Sequence, residues 1–146
     1  MTQTRILRGR ALVSGTATGT ALVSDEPLSF WGGYDQRTGE IIDRRHPLSG
    51  QRAAGCVLAL RASRGSSTTA AVLLEAVRLG TAPAALITAH PDTFLTLASI
   101  VADEMYQRPI PVIVLTSEDF AALRSGRRVT VQADGTVVLA ENGNMV

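Results

Sequence analysis

Lysine is absent from this 146-residue chain: its 14 basic residues are all arginine. That excludes a Schiff-base lysine and the lysine of a phosphate-binding P-loop. Cysteine is nearly absent. The single Cys56 rules out an intrachain disulfide and cannot by itself ligate an iron–sulfur cluster; at the head of the apolar run Cys56-Val57-Leu58-Ala59-Leu60 it reads as a small core residue. Charge is balanced to a net +1, and the pairs Arg8/Arg10, Arg44-Arg45 and Arg127-Arg128 are too scattered to form a groove. The chain therefore lacks the clustered phosphate contacts of a nucleic-acid partner and the excess charge that draws a protein to an anionic membrane. No apolar run is long enough to cross a bilayer, and the N-terminal arginines precede no signal-type apolar stretch, so the cytoplasm is the expected location. Metal-ligand spacings and a Gly-x-Ser-x-Gly elbow are missing as well.

What is present is a core. Hydrophobic residues make up 45% and charged residues 18%, enough apolar material for residues 1–146 to form one domain. The ends are β-like. Residues 5–23 hold two short apolar runs around Ser14-Gly15-Thr16-Ala17-Thr18-Gly19, read as two strands, and Val129 to Leu139 form a hairpin on Asp134-Gly135. The loop Asp25 to Asp35 concentrates three aromatics beside Gly32-Gly33, and Glu40 to Asp43 reads as a short strand. From residue 55 strand and helix alternate. Val57–Leu60 is a buried strand. In residues 68–79, Val72, Leu73, Ala76 and Val77 share one helical face, and Gly80 is the stop. Ala84–Thr88 is a strand. Residues 92–106 place Phe94, Leu97, Ala98, Val101 and Met105 at helical spacing behind Asp92 or Thr93 as cap. A third strand runs to Leu115, and Ser117-Glu118-Asp119 opens a short helix. The expected fold class is α/β: mixed sheets, with the helices packed on the β/α half.

The stretch Arg61-Ala62-Ser63-Arg64-Gly65-Ser66-Ser67-Thr68-Thr69 joins the buried strand to the first long helix. Such turns lie at the carboxyl ends of strands, where α/β sheets bind ligands, and a helix N-terminus favours anions. Gly65 permits a tight bend, and Arg64 can pair bidentately with a carboxylate or phosphate. A serine alkoxide becomes less costly beside an arginine and away from water. One hydroxyl also suffices as an N-cap, worth about 1 kcal/mol, so spacing alone leaves cap and catalyst both open. His46, before Pro47 in a loop, and His90, before Pro91 at a strand end, read as structural or solvent-facing. Neither Asp43 nor Glu40 has an evident partner. The chain lacks a complete active site of its own.

Several segments together resemble one family. Ala21-Leu22-Val23-Ser24-Asp25-Glu26-Pro27-Leu28-Ser29-Phe30-Trp31-Gly32-Gly33, Gly39-Glu40-Ile41-Ile42-Asp43, His46-Pro47-Leu48-Ser49-Gly50-Gln51, Arg64-Gly65-Ser66-Ser67 and Leu79-Gly80-Thr81-Ala82-Pro83-Ala84-Ala85 are similar to the small subunit, or swivel domain, of aconitase X. The likeness runs from about Gly9 to Leu115. It implies a swivelling β/β/α domain that closes over a large catalytic partner subunit carrying an iron–sulfur cluster. It also implies a hydro-lyase, with cis-3-hydroxy-L-proline dehydratases and mevalonate 5-phosphate dehydratase among its members. Carried onto this chain, Ser66 is the base that removes the substrate proton, with Arg64, Gly65 and Ser67 around the small hydroxy-acid substrate. The partner's iron acts as Lewis acid on the departing hydroxyl. The aconitase turn continues Arg-Glu after its two serines; here Thr68-Thr69 follow, and Arg64 is the substitute grip. The Phe30-Trp31-Gly32-Gly33 loop is expected to line the cleft.

Two readings of other classes compete. A phosphohistidine carrier domain has a similar layout, but Thr69 stands where its histidine would be. A non-catalytic interaction module would make Ser66 dispensable. Between the two substrates, the lack of a second basic cluster at the turn and the arginine-only usage favour cis-3-hydroxy-L-proline over a phosphorylated acid.

Overall fold

The computed structural model describes residues 4–64 and 67–140. Its strands are β1 (Thr4–Arg8), β2 (Arg10–Val13), β3 (Ala17–Ser24), β4 (Val57–Leu60), β5 (Ala85–Thr88), β6 (Val112–Val114), β7 (Arg128–Val131) and β8 (Thr136–Ala140). The helices are α1 (Phe30–Gly33), α2 (Ser67–Leu79), α3 (Thr93–Tyr106) and α4 (Ser117–Phe120). All eight strands join in the order β1-β8-β7-β3-β4-β5-β6-β2. Strands β3, β4, β5 and β6 are parallel neighbours, β2 pairs antiparallel with β6, and the β1-β8-β7-β3 side is antiparallel throughout.

The sheet folds into two layers because two stretches of chain belong to both. In β3, Ala17 to Thr20 pair with β7, whereas Ala21 to Ser24 pair with β4. At the opposite side β1 pairs with β8 and β2 with β6, with only Gly9 between them. The sequence reading had two strands in residues 5–23; the first of them is broken at Gly9 into β1 and β2. A side chain at Gly9 would stand 2.5 Å from Ile113 Cγ2 and 2.8 Å from the Gly135 carbonyl oxygen. Glycine is therefore what lets the chain cross between the layers there.

Side-chain alternation builds two cores. On β4, Val57 and Ala59 face the second sheet layer and pack with Val129, Val131, Val137 and Leu139. Leu58 and Leu60 face the helices and pack with Val72, Leu73, Ala76 and Leu95. Ile87 and Leu86 divide the same way on β5. Being buried on both faces, β4 and β5 read as unbroken apolar runs. The result is the expected α/β architecture, a β/β/α stack with α2 and α3 on the parallel half.

Helix α2 buries the face its spacing predicts, Val72, Leu73, Ala76 and Val77, and ends at Gly80, whose φ is +78°. Helix α3 turns a different face inward. Leu95, Ala98, Ser99 and Ala102 are buried, while Leu97 and Met105 of the expected face are 44% and 57% exposed. The small residues Ala98 and Ala102 let α3 approach its neighbours closely. Ser99 fixes its rotation: its hydroxyl donates to the Ile110 carbonyl at 2.5 Å and accepts from the Ile110 N–H at 2.7 Å. A satisfied serine outweighs a more apolar stripe. Glu40 to Asp43 form no strand; only isolated bridges, Tyr34 with Ile41 and Glu40 with Arg52, order that segment.

The crowding at Gly9 has a measurable consequence. Gly9→Val should lower the unfolding free energy by about 1–3 kcal/mol through overpacking, read as a fall in the urea midpoint at unchanged m-value.

Candidate functional site

The carboxyl ends of β3, β4 and β5 lie together, and three connections leave from them. After β3, the Ser24 hydroxyl accepts from the Glu26 N–H at 3.0 Å, turning the chain into the long loop that precedes β4. Two buried side chains order that loop. Tyr34 stacks on Phe30 with ring centroids 5.4 Å apart, and its hydroxyl donates to the Thr81 carbonyl at 2.7 Å. Burial pushes the Tyr34 phenol well above its ordinary range, with the nearby Cys56 as a smaller cause. His46 is only 6% exposed. Its Nδ1 accepts from the Leu48 N–H at 3.1 Å, so the proton sits on Nε2, which donates to the Glu26 carbonyl at 3.2 Å. With both nitrogens committed to main chain, His46 is a fastener between the two limbs of the loop. That agrees with its structural reading.

Those limbs form one wall of a polar cleft of about 470 Å³, lined among others by Glu26, Asp43, Arg44, Arg45, His46 and Arg64. The opposite wall is the β4–α2 connection. Ser63 forms a parallel bridge with Leu28, and the Arg64 N–H donates to the Leu28 carbonyl at 3.0 Å. Arg64 is exposed at the rim. Among the described residues no carboxylate forms an ion pair with Arg44, Arg45 or Arg64. Asp43 instead turns its own loop, accepting from the Arg45 N–H at 3.0 Å. Three arginines with no ion pair among the described residues thus line one cleft near the start of a 13-residue helix, an arrangement that attracts anions.

Arg64, expected at the turn, is in the lining of this cleft, and Arg44 and Arg45, which the sequence reading did not connect to the turn, line it too. The expectation that the turn has no second basic cluster is corrected: the two arginines arrive from the long loop, about 20 positions upstream. The Asp43-Arg44-Arg45-His46 run was a visible signal, but its direction depends on the His46 fastening, which spacing does not reveal. Gly65 and Ser66 lie outside the described residues; Ser67 contributes the first residue of α2. The aromatic loop divides. Phe30 is fully buried in the core, and Trp31 is 69% exposed and absent from the cleft lining. Thr69, at the position of a carrier histidine, is buried, so a phosphoryl group has no access there. His90 is exposed.

Cys56 stands at the opposite end of β4 from Arg64. Its Sγ lies 3.4 Å from the Arg52 carbonyl, and burial raises its thiol pKa, partly offset by Arg128. Among the described residues no three His, Cys, Asp or Glu side chains converge as metal ligands, so those residues do not fit an iron–sulfur cluster. Among them, too, no helix is long and apolar enough to cross a membrane.

The fold is a two-layered sheet with helices on one face and, at the carboxyl ends of its parallel strands, a polar cleft with three arginines in its lining. A family model for the aconitase X swivel domain matches residues 6–139, and the chain belongs to that family. It is 42% identical over 137 residues to cis-3-hydroxy-L-proline dehydratase of Hypocrea jecorina, covering 94% of this chain and 23% of that one. It is 37% identical over 135 residues to the phosphomevalonate dehydratase small subunit of Thermococcus onnurineus, covering 92% and 98%. Among solved structures, Thermococcus kodakaraensis aconitase X in its holo-form superposes with a TM-score of 0.84 at 32% identity, over 94% of this chain and 99% of that chain. The chain spans about a fifth of the curated cis-3-hydroxy-L-proline dehydratases it matches, 23% and 20% of their lengths.

The two fastenings give separate tests. His46→Ala removes a buried acceptor and donor together, and a loss of about 2–3 kcal/mol is expected, measured by chemical denaturation. For Tyr34, the stability conferred by its neutral phenol is complete below the ordinary pKa of 10.0. It is lost as pH rises above that value, because the unfolded chain ionises while the folded one is held neutral. From about pH 9 to about pH 11, Tm should therefore fall less in Tyr34→Phe than in the parent.

Proposed function

We propose that this chain is the small subunit of an aconitase-X-type hydro-lyase, acting in the cytoplasm as a single swivel domain that closes over a large partner subunit. The observation that carries the proposal is the arginine cleft lined by Arg64, the residue before Gly65-Ser66 in sequence, in a chain 42–45% identical to proteins named cis-3-hydroxy-L-proline dehydratase. The iron–sulfur cluster of the reaction belongs to the large partner, and the small subunit supplies the base and the anion grip.

The substrate on this reading is cis-3-hydroxy-L-proline. Its carboxylate is held by Arg64 with help from Arg44 or Arg45. The carboxylate makes the adjacent C–H acidic, and Ser66 receives that proton. The hydroxyl on the neighbouring carbon leaves, a carbon–carbon double bond forms between the two centres, and water is the second product. The positive end of α2 and the guanidinium groups steady the negative charge that builds on the carboxylate side. Closure of the cleft removes water, which strengthens each of these interactions.

A second reading, small subunit of a phosphomevalonate dehydratase, is favoured by the same three arginines. They exceed the need of a single carboxylate and suit a phosphate. Relatives of that name also match this chain over nearly their whole length, 98% for the Thermococcus onnurineus subunit.

Turnover of each acid by the chain co-produced with its large partner tests both readings. Ser66→Ala should assemble normally and lose activity by about 10²-fold or more, whereas Arg64→Gln should chiefly raise KM. Full activity of the Ser66→Ala complex would reduce the turn to a helix cap.

A further inference from the structure

The β4–α2 connection carries the proposed base. Among its described residues, 61–64, three main-chain anchors stand out. The Arg61 carbonyl accepts from the Ala89 N–H at 3.1 Å, and the Arg64 N–H donates to Leu28. Between them, Ser63 donates twice to one oxygen: its N–H and its hydroxyl both lie 2.8 Å from Asp92 Oδ2. Asp92 is only 8% exposed. Its other oxygen, Oδ1, accepts from the Phe94 N–H at 3.1 Å and the Leu95 N–H at 3.0 Å, capping α3. One carboxylate thus accepts four hydrogen bonds, the capacity of its two oxygens. Two of those bonds serve the helix and two serve the loop.

A helix cap alone needs one oxygen. An Asp, Asn, Ser or Thr would serve α3 about equally, but only a carboxylate offers acceptors in both directions. We propose that Asp92 is a positioning residue for the serine turn, locking the residues just before Arg64-Gly65-Ser66 to the rigid N-terminus of α3. This inference rests on the reading that Ser66 acts as base. The clamp fixes the chain at Ser63, three positions before the proposed base. Displacement of a reacting group by about 1 Å can cost 10²-fold in rate. Substrate binding depends on it less, because Arg64 keeps its own main-chain bond to the buried Leu28.

Asp92→Asn separates the two duties. The amide keeps one acceptor, and its better use is the cap, where it satisfies two N–H groups. The NH₂ then faces the Ser63 N–H, donor against donor. In the complex with the large partner, Asp92→Asn should assemble, retain Tm to within a few degrees, and show kcat reduced about 10- to 100-fold with KM changed less than about threefold. Ser63→Ala, which loses the hydroxyl bond and keeps the main-chain one, should lose less. Thr116→Ala, which removes the cap of α4, should lower Tm and leave kcat unchanged. Amide exchange in the same complexes should show the Ser63 N–H less protected in Asp92→Asn, with Leu95 unchanged. An Asp92→Asn complex with parental kcat, beside a silent Ser66→Ala complex, would overturn the positioning role. If Ser66→Ala is itself fully active, the catalytic reading fails instead. Exchange at Ser63 then decides the clamp, and parental protection in Asp92→Asn would overturn it.

Discussion

Two close approaches of main chain to its surroundings determine the rest of this molecule. At Gly9 a side chain would collide with Ile113 and the Gly135 carbonyl; at Gly19, midway along β3, it would lie 2.8 Å from the Gly55 carbonyl. Both glycines sit where the chain passes from one sheet layer to the other. With the layers pressed together along these two seams, the inner faces of β4, β5 and β6 are filled from the second layer. Their outer faces are left for helices. Helices on that face can be reached only by connections running off the carboxyl ends of the parallel strands, and so the functional turn, the α3 cap and the long loop collect at one end.

That end is unusual in how its polar groups are spent. Buried ones are turned inward: His46 onto Glu26 and Leu48, Asp92 onto Ser63, Phe94 and Leu95. Among the described residues Arg44, Arg45 and Arg64 form no ion pair with a carboxylate. Fixed dipoles thus surround uncommitted charge, which suits an anion arriving from solvent. A guanidinium already paired with a carboxylate would have to break that pair before it could bind one.

Much of the fold was legible because the parallel strands are buried on both faces and bounded by glycine, proline and polar turns. Val57–Leu60 matches in full, and the α2 face matches residue for residue. The errors have a common origin in contacts that skip along the chain. The inward face of α3 is chosen by Ser99 bonding to Ile110, a pairing periodicity cannot register. The break between β1 and β2 comes from Gly9 meeting Gly135, over a hundred residues away. In the site, Arg64 followed from its place at a strand end, whereas Arg44 and Arg45 needed the fold of a loop that has no regular period. The double duty of Asp92 was half visible. Its spacing gave the cap, but not the second oxygen.

The seams also leave the sheet little unpaired edge. Each outer strand is four or five residues long, and Arg5, Arg8 and Arg10 charge them, a combination that discourages another chain from adding a strand. A neighbour joined by strand addition would be held at a fixed register, in steps of about 3.3 Å. Contacts made through side chains impose no such ladder. A body bounded in this way can meet a neighbour through side chains without unzipping its own sheet, and both of its cores close on the same β4 and β5.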